Sequence, residues 1–136
     1  MIDIHPVGDL ATLLRGMRPE LQPGRYAFVL APPGLAIDPA HVVASVRERE
    51  GISLVVPEQV ALDMGLPVEF VSAWITLGVH SDLEAIGFTA AFSTALARAG
   101  IGCNVVAGVH HDHVFVPFAQ ARQAMDALQA LSRSAS

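Results

Sequence analysis

The chain has 136 residues, of which 52% are hydrophobic and 15% charged, and its formal net charge is −5. This composition excludes a disordered chain, and the eight basic residues, all arginines, are too scattered to form a nucleic-acid-binding stripe. The length allows one compact domain or two small units that share a core. So low a share of charge also indicates that some apolar surface is covered by a partner.

The sequence predicts a cytoplasmic protein without a membrane partner. Cys103 is the single cysteine, which excludes an internal disulfide. The opening "MIDIHPVGDL" lacks the basic and apolar regions of a secretory signal. No apolar run reaches the roughly 18 residues that a membrane helix needs.

In the first half, the pattern alternates between helix and strand. Asp9 is placed to cap a helix in "LATLLRGM", and "RYAFVL" predicts a buried strand. Asp38 and Pro39 are typical of a helix start, and we expect that helix to run to about Glu50 and to end at Gly51. "ISLVVP" predicts a second strand, and "EQVALDMGLP" a short helical turn.

In the second half, "VEFVSAWITLGVH" predicts the longest strand, broken or bent near Ser72. "SDLE" is a capping box, in which Ser81 accepts a hydrogen bond from the backbone N–H of Glu84. It predicts a helix over residues 83–99. "GCNVVAG" and "HVFVP" predict two strands joined by a histidine-rich loop, and the apolar periodicity of residues 121–131 predicts a closing amphipathic helix.

The two halves read as a duplication. "REREGISLVV" matches "LARAGIGCNVV" with a spacing of about 49 residues, and each segment predicts a helix end followed by a strand. The fold class that this order predicts is α+β, with two ferredoxin-like units whose antiparallel sheets carry helices on one face. We place a first, divergent unit with an N-terminal helix in residues 1–70, and a second unit in residues 71–136.

The predicted helix over residues 83–99 has an unusual surface. It carries no charge between Ala85 and Ala97, and most of its residues are small. Tight packing on its own sheet is one explanation. The other is contact with a second copy of the chain, because an apolar helix needs cover on every face. On this second explanation we expect a homodimer.

The segment "WITLGVHSDLEAIGFTAAFSTALARAGIGCNVVAGVHHDHVFVP" resembles the ACT-domain pattern. The shared features are a strand, a short loop, a helix with an internal glycine, "LAxAGI", a strand, a turn and "D-x-hydrophobic-x-V". The chain is similar to small bacterial proteins with two ACT domains, which are related to the ACT units of the cytosolic arginine sensor and of aspartate kinases. The resemblance implies a non-catalytic regulatory module that needs no cofactor and binds an amino acid or similar molecule at an ACT–ACT interface.

The resemblance also implies where the ligand binds. Asp112 matches a family aspartate that contacts the ligand's cationic group, whereas His111 stands where relatives have threonine. The pocket lies where the loop after the first strand, the start of the first helix and the neighbouring strand ends meet. The expected ligand-binding residues are His80, Ser81, Asp82, Leu83, Gly87, Asn104, Gly108, His110, His111 and Asp112.

Other chemistries stay open at this point. His111 and His113 share one strand face, and with His80 they are a candidate Zn²⁺ or Ni²⁺ site, although our prediction is that no metal binds. A metal-dependent enzyme that uses these histidines is one alternative function. For acid–base catalysis Cys103 is the candidate nucleophile, but it lacks a neighbouring cation, and we expect no catalytic residue. A module that binds a protein partner and no ligand is the remaining alternative.

Overall fold

A computed structural model describes residues 9–135, and every structural statement below concerns these residues. Short 3₁₀ turns over Pro39–His41 and Phe118–Gln120 accompany four helices and seven strands. In chain order these are α1 (Leu10–Arg15), β1 (Pro19–Leu21), β2 (Tyr26–Ala31), β3 (Ala44–Arg47), β4 (Ile52–Pro57), α2 (Glu58–Asp63), β5 (Val68–Leu77), α3 (Phe88–Arg98), β6 (Asn104–Ala107), β7 (Asp112–Pro117) and α4 (Ala121–Ser134).

All strands belong to one antiparallel sheet in the order β3-β4-β2-β5-β7-β6, and β1 pairs with the end of β5. The ten-residue strand β5 joins the halves, because its first part pairs with β2 and its second part with β7. The α+β class with two ferredoxin-like units is therefore confirmed. The division at residues 70 and 71 falls inside β5 and stays a prediction.

The helices cover one face of the sheet and enclose two hydrophobic cores. The first core lies between β2, β4 and α2 and contains Ala27, Val29, Ala31, Leu54, Val56, Ala61 and Leu66. The larger second core packs α3 and α4 on β5 and β7, with Phe88, Phe92, Leu96 and Leu128 among its members. Leu13 and Met17, at the chain's beginning, also lie in this second core.

The helix predicted between Asp38 and Glu50 is wrong. Asp38 does accept a hydrogen bond from the Ala40 N–H, but the turn that it caps ends at His41. The chain then enters β3, which pairs with β4. The reason is the β-branched content of "HVVASV", since valines favour a strand with a partner over an isolated helix.

The start of α3 also differs from its prediction. The helix begins at Phe88, and Gly87, with φ of 93°, occupies its N-cap. The Glu84 N–H donates to the Asp82 carboxylate, and Ser81 does not cap the helix. Residues 82–86 therefore form a turn, because the Asp82 side chain offers the backbone a local partner that competes with a helix.

The repeat predicted at 49 residues is wrong in its spacing. The β3–β4 hairpin corresponds to the β6–β7 hairpin with a spacing of 60 residues, since Ala44 opposes Val55 as Asn104 opposes Phe115. The text match at 49 residues aligned a hairpin turn with a helix end. The two segments look alike because glycine serves both, as the turn residue Gly51, with φ of 153°, and as Gly100 after α3.

The remaining elements agree with the sequence. Asp9 accepts a hydrogen bond from the Thr12 N–H at the start of α1, and α2 and α4 lie where they were predicted. β5 is continuous at Ser72. The irregularity in its pairing with β2 falls instead at Glu69, because Phe28 pairs with Phe70 and Val29 pairs with Val68, which leaves Glu69 without a partner on β2.

Candidate functional site

The first residues of β7 place polar side chains on both faces of the sheet. Side chains alternate along a strand, so Asp112 shares the helix-covered face with the core residues Val114 and Val116. His113 lies on the opposite face, as the spacing predicted. Its Nδ1 lies 3.0 Å from Trp74 Nε1, which donates to it, and 3.2 Å from Thr76 Oγ1.

A buried polar pair lies at the centre of the predicted site. Ser81 and Asp112 are only 6% and 7% exposed. The Ser81 hydroxyl donates to Asp112 Oδ2 at 3.1 Å, across 31 residues of sequence. The pair therefore ties the loop after β5 to the entry of β7, which explains why Ser81 is not free to cap a helix.

Three imidazoles near this pair in the sequence lie close to one another. His80 Nε2 and His110 Nδ1 are 3.3 Å apart, and their ring centroids are separated by 4.8 Å. The ring of His111 lies 6.4 Å from that of His80 and 6.2 Å from that of His110. His80 and His111 directly precede Ser81 and Asp112 in the sequence, His110 is exposed and the other two histidines are partly exposed, so we call the three rings the imidazole rim.

His113 is electrostatically different from these rim residues. Partial burial lowers its pKa below the ordinary value of 6.5, and the nearby His111 adds to the shift, whereas Asp112 opposes it. The ring is therefore neutral near pH 7. A neutral ring can accept the Trp74 hydrogen bond at Nδ1, which requires that any ring proton sit on Nε2.

The other predicted residues form no side-chain hydrogen bond to the buried pair within residues 9–135. Leu83 is 62% exposed, and Asp82 is occupied by the turn that it caps. Gly87 faces Leu10, since a Cβ there would lie 3.4 Å from a Leu10 methyl. Asn104 opposes Phe115, three strand positions from Ala107, which opposes Asp112. At about 3.3 Å per residue, Asn104 is about 10 Å from the pair along the strand.

Gly108 belongs to the hairpin turn that holds the histidines. Its N–H donates to the His111 carbonyl at 2.8 Å, and a Cβ at this position would lie 3.0 Å from that same oxygen. The close approach explains a glycine here. The turn in turn sets the positions of His110 and His111.

The arrangement offers little for metal or nucleophilic chemistry. Within residues 9–135 no group of three or more His, Cys, Asp or Glu side chains has the geometry to hold a metal ion. Cys103 packs against the second core, and burial raises its pKa, which disfavours the reactive thiolate. In the same stretch, no helix is long and apolar enough to cross a membrane.

The sequence did not identify Trp74 and Thr76 as partners of His113. The signal for them was the alternation within β5, which puts both on the face opposite to Ala73 and Ile75. Only the pairing register, with Thr76 opposite His113, brings them together.

Comparison with protein families gives two matches, which together span most of the chain. Residues 6–73 match one ACT-domain family and residues 69–130 another. A comparison with curated proteins gives no match.

Solved structures show the same architecture. A protein of unknown function and possible transport role from Vibrio cholerae is 43% identical, with a TM-score of 0.80 over 90% of this chain and 95% of its own. A protein from Agrobacterium tumefaciens is 18% identical, with a TM-score of 0.69 over 84% and 87% of the two chains.

The ligand-free regulatory subunit of aspartate kinase from Thermus thermophilus is 12% identical, with a TM-score of 0.62 over 85% and 97% of the two chains. An identity this low indicates a shared fold and nothing more. The two family matches decide the membership: this chain belongs to the ACT-domain family, with two ACT domains in tandem.

Proposed function

We propose that this protein is a regulatory sensor that binds an amino acid or a similar small molecule at an ACT–ACT interface, with the Ser81–Asp112 pair of its second ACT domain at the centre of the site. ACT domains are typically regulatory, non-catalytic units that bind small molecules. The observation that carries the proposal is the burial of the Asp112 carboxylate, which is 7% exposed.

A buried carboxylate needs compensation, because removal of its hydration costs several kcal/mol. Ser81 supplies one neutral donor. The one ion pair formed between residues 9–135 joins Arg25 to Glu58, so no arginine in this range neutralises Asp112. An ammonium or guanidinium group of a ligand would complete the site with a charge-assisted hydrogen bond.

The imidazole rim suits the other end of an amino acid. His80, His110 and His111 each carry ring nitrogens that donate when protonated and can face a carboxylate. The predicted helix N-terminus at Leu83 cannot serve this purpose, since α3 begins at Phe88. We therefore assign recognition of the ligand's carboxylate to the rim histidines.

The test is a thermal-shift screen of the twenty amino acids and related amines, followed by calorimetry on any compound that raises the melting temperature. Asp112→Asn keeps the shape and the hydrogen bond from Ser81 but removes the charge. We expect affinity for a cationic ligand to fall by about 2 kcal/mol, about thirtyfold.

Asp126→Asn is the matched control, because Asp126 is an exposed residue of α4. It should bind as the wild type does. Equal affinities of wild type and Asp112→Asn for the cationic ligand would show that Asp112 only shapes the turn. A screen without any hit would favour the alternative, a ligand-free protein-interaction module.

The homodimer and the cytoplasmic location are further parts of this proposal. The outer face of α3 supports the dimer, because Thr89, Ala90, Thr94 and Ala97 are exposed and uncharged. The free thiol of Cys103 suits the reducing cytoplasm.

A further inference from the structure

The face of the sheet opposite the helices is strongly concave. β3 and β6 are the two ends of the strand order, and in a flat sheet five strand spacings of about 4.8 Å would separate them by about 24 Å. Yet Val46 of β3 and Val106 of β6 line the same cavity. The sheet therefore curls until its two edges face each other across this side.

The curled face encloses an apolar cavity of about 290 Å³. Its apolar lining includes Phe28, Leu30, Ala44, Val46, Val55 and Val106. Ligand pockets span about 300–1,000 Å³, so the volume of this cavity lies just below that range. A cavity of about 150 Å³ already holds benzene in another protein, so a phenyl ring with a short tail fits here.

A second, smaller cavity of about 40 Å³ continues the first. Ala44 and Val106 line both, and the inner cavity ends at Trp74, His113 and Phe115. Trp74 is the only tryptophan of the chain. It therefore reports on any molecule that enters from the larger cavity.

One charged side chain lines the larger cavity. This residue is Glu69, which has no pairing partner on β2 because the β2–β5 register shifts there. Such an irregularity redirects a side chain out of the regular alternation between the two faces of the sheet. Glu69 is exposed and forms no ion pair with any other residue of the 9–135 range. An apolar wall with a single carboxylate at its edge is complementary to an apolar body that carries one positive charge.

We propose that this concave face, formed by β2, β3, β4 and β6 with Glu69 at its edge, is a second binding site for a small primary amine with an apolar body. The site goes beyond the function proposed for Asp112, because it lies on the opposite face of the sheet. Its ligand needs no carboxylate, and Glu69 repels one.

The experiment uses three probes of one shape, phenethylamine, phenethyl alcohol and phenylpropanoate, titrated while Trp74 fluorescence is recorded. The expected order of affinity is amine, then alcohol, then carboxylate. Ala44→Leu fills the junction of the two cavities and should abolish the fluorescence response. Glu69→Gln should lower the amine's affinity about fivefold, to that of the alcohol, as loss of an exposed charge pair predicts.

Both substituted residues are at least partly exposed, so the variants should fold, and circular dichroism checks this. Asp126→Asn, at an exposed position of α4, is the matched control and should leave the amine titration unchanged. Ala44→Leu does not alter the Ser81–Asp112 pair on the other face of the sheet, so loss of the response in that variant separates the two sites. The proposal is overturned if no probe changes the fluorescence, if amine and carboxylate bind equally, or if Glu69→Gln keeps the wild-type preference. Probe-independent self-association abolished by Val46→Lys would instead make this face a protein interface.

Discussion

The two ACT units of this chain share a hairpin but differ in what connects it to the preceding strand. Twelve residues, 32–43, separate β2 from β3, whereas residues 78–103 connect β5 to β6. The longer connection contains α3, and the shorter one contains only a 3₁₀ turn over Pro39–His41. In the first unit, Ile37 and Val42 pack on the core where the second unit has Phe88 and Phe92.

Because of this difference, the Ser81–Asp112 pair is found in the second unit alone. With the 60-residue spacing, the position of Asp112 corresponds to Ile52, and that of His113 to Ser53. Ser81 has no counterpart, because it lies in the longer connection. The polar pair and its histidine rim are therefore features of the second unit, and the first unit contributes mainly its sheet, including most of the concave cavity.

The largest expected effect concerns the two cores. Phe92 is fully buried in the second core, and Phe92→Ala should lower the free energy of unfolding by about 3–5 kcal/mol. Leu54 is 5% exposed in the first core, and Leu54→Ala should cost about 2–3 kcal/mol because the smaller core leaves fewer contacts to lose. Urea denaturation followed by circular dichroism measures both.

Since β5 belongs to both units, we expect one cooperative transition in each variant. Two separate transitions, with Leu54→Ala shifting only one of them, would show that the units unfold independently. That result would contradict the shared sheet as the link between the cores.

A second prediction tests whether assembly depends on the helix that only the second unit has. Ala90 is exposed on the uncharged outer face of α3, so Ala90→Arg should raise the dissociation constant of the proposed dimer about tenfold or more, because the interface would bury a charge without a partner. Ala119→Arg, at an exposed position outside α3, is the control. Light scattering across a micromolar dilution series measures both, and a wild type of 14.3 kDa throughout would contradict the dimer.

How much the sequence predicted also differs between the units. In the second unit, the strand–helix–strand order and the turn that holds His110 to Asp112 follow from strong local patterns. The family resemblance singled out Asp112, which is buried, although its role as a ligand contact stays a prediction. In the first unit, Asp38 and Pro39 are a correct turn signal, but the helix expected after them does not form. Local capping cannot reveal that β4 is available as a partner for "ASVR".

At the proposed site, local sequence patterns were also insufficient to predict the contacts. "SDLE" satisfies the capping pattern, and only the fold shows that Ser81 is used by Asp112, 31 residues away. The concave cavity was not predicted at all, because its lining comes from four strands and a register irregularity. Neither the contribution of several strands nor the irregularity at Glu69 is visible in the residue spacing of any one segment.

The smallest expected effect is on the pH dependence of the free energy of unfolding, and it compares variants of His113 and of a histidine in the first unit. The pKa of His113 lies below 6.5 in the folded chain, chiefly because of burial, so the unfolded chain binds the proton first as the pH falls. The free energy of unfolding should therefore decrease as the pH is lowered through about 6.5, and level off below the folded pKa. Above pH 7 the contribution is constant, because the ring is neutral in both states.

His113→Gln should reduce this pH dependence, since the glutamine carbonyl can still accept the Trp74 hydrogen bond but binds no proton. His41→Gln, in the exposed 3₁₀ turn of the first unit, controls for the loss of a histidine as such. Urea denaturation at intervals between pH 5 and pH 8 gives the slope for each protein. If wild type and His113→Gln have the same slope, the partial burial of His113 has no energetic consequence. The concave face would then be hydrated well enough to hold a charged ring beside Trp74, which would also weaken the case for an apolar ligand there.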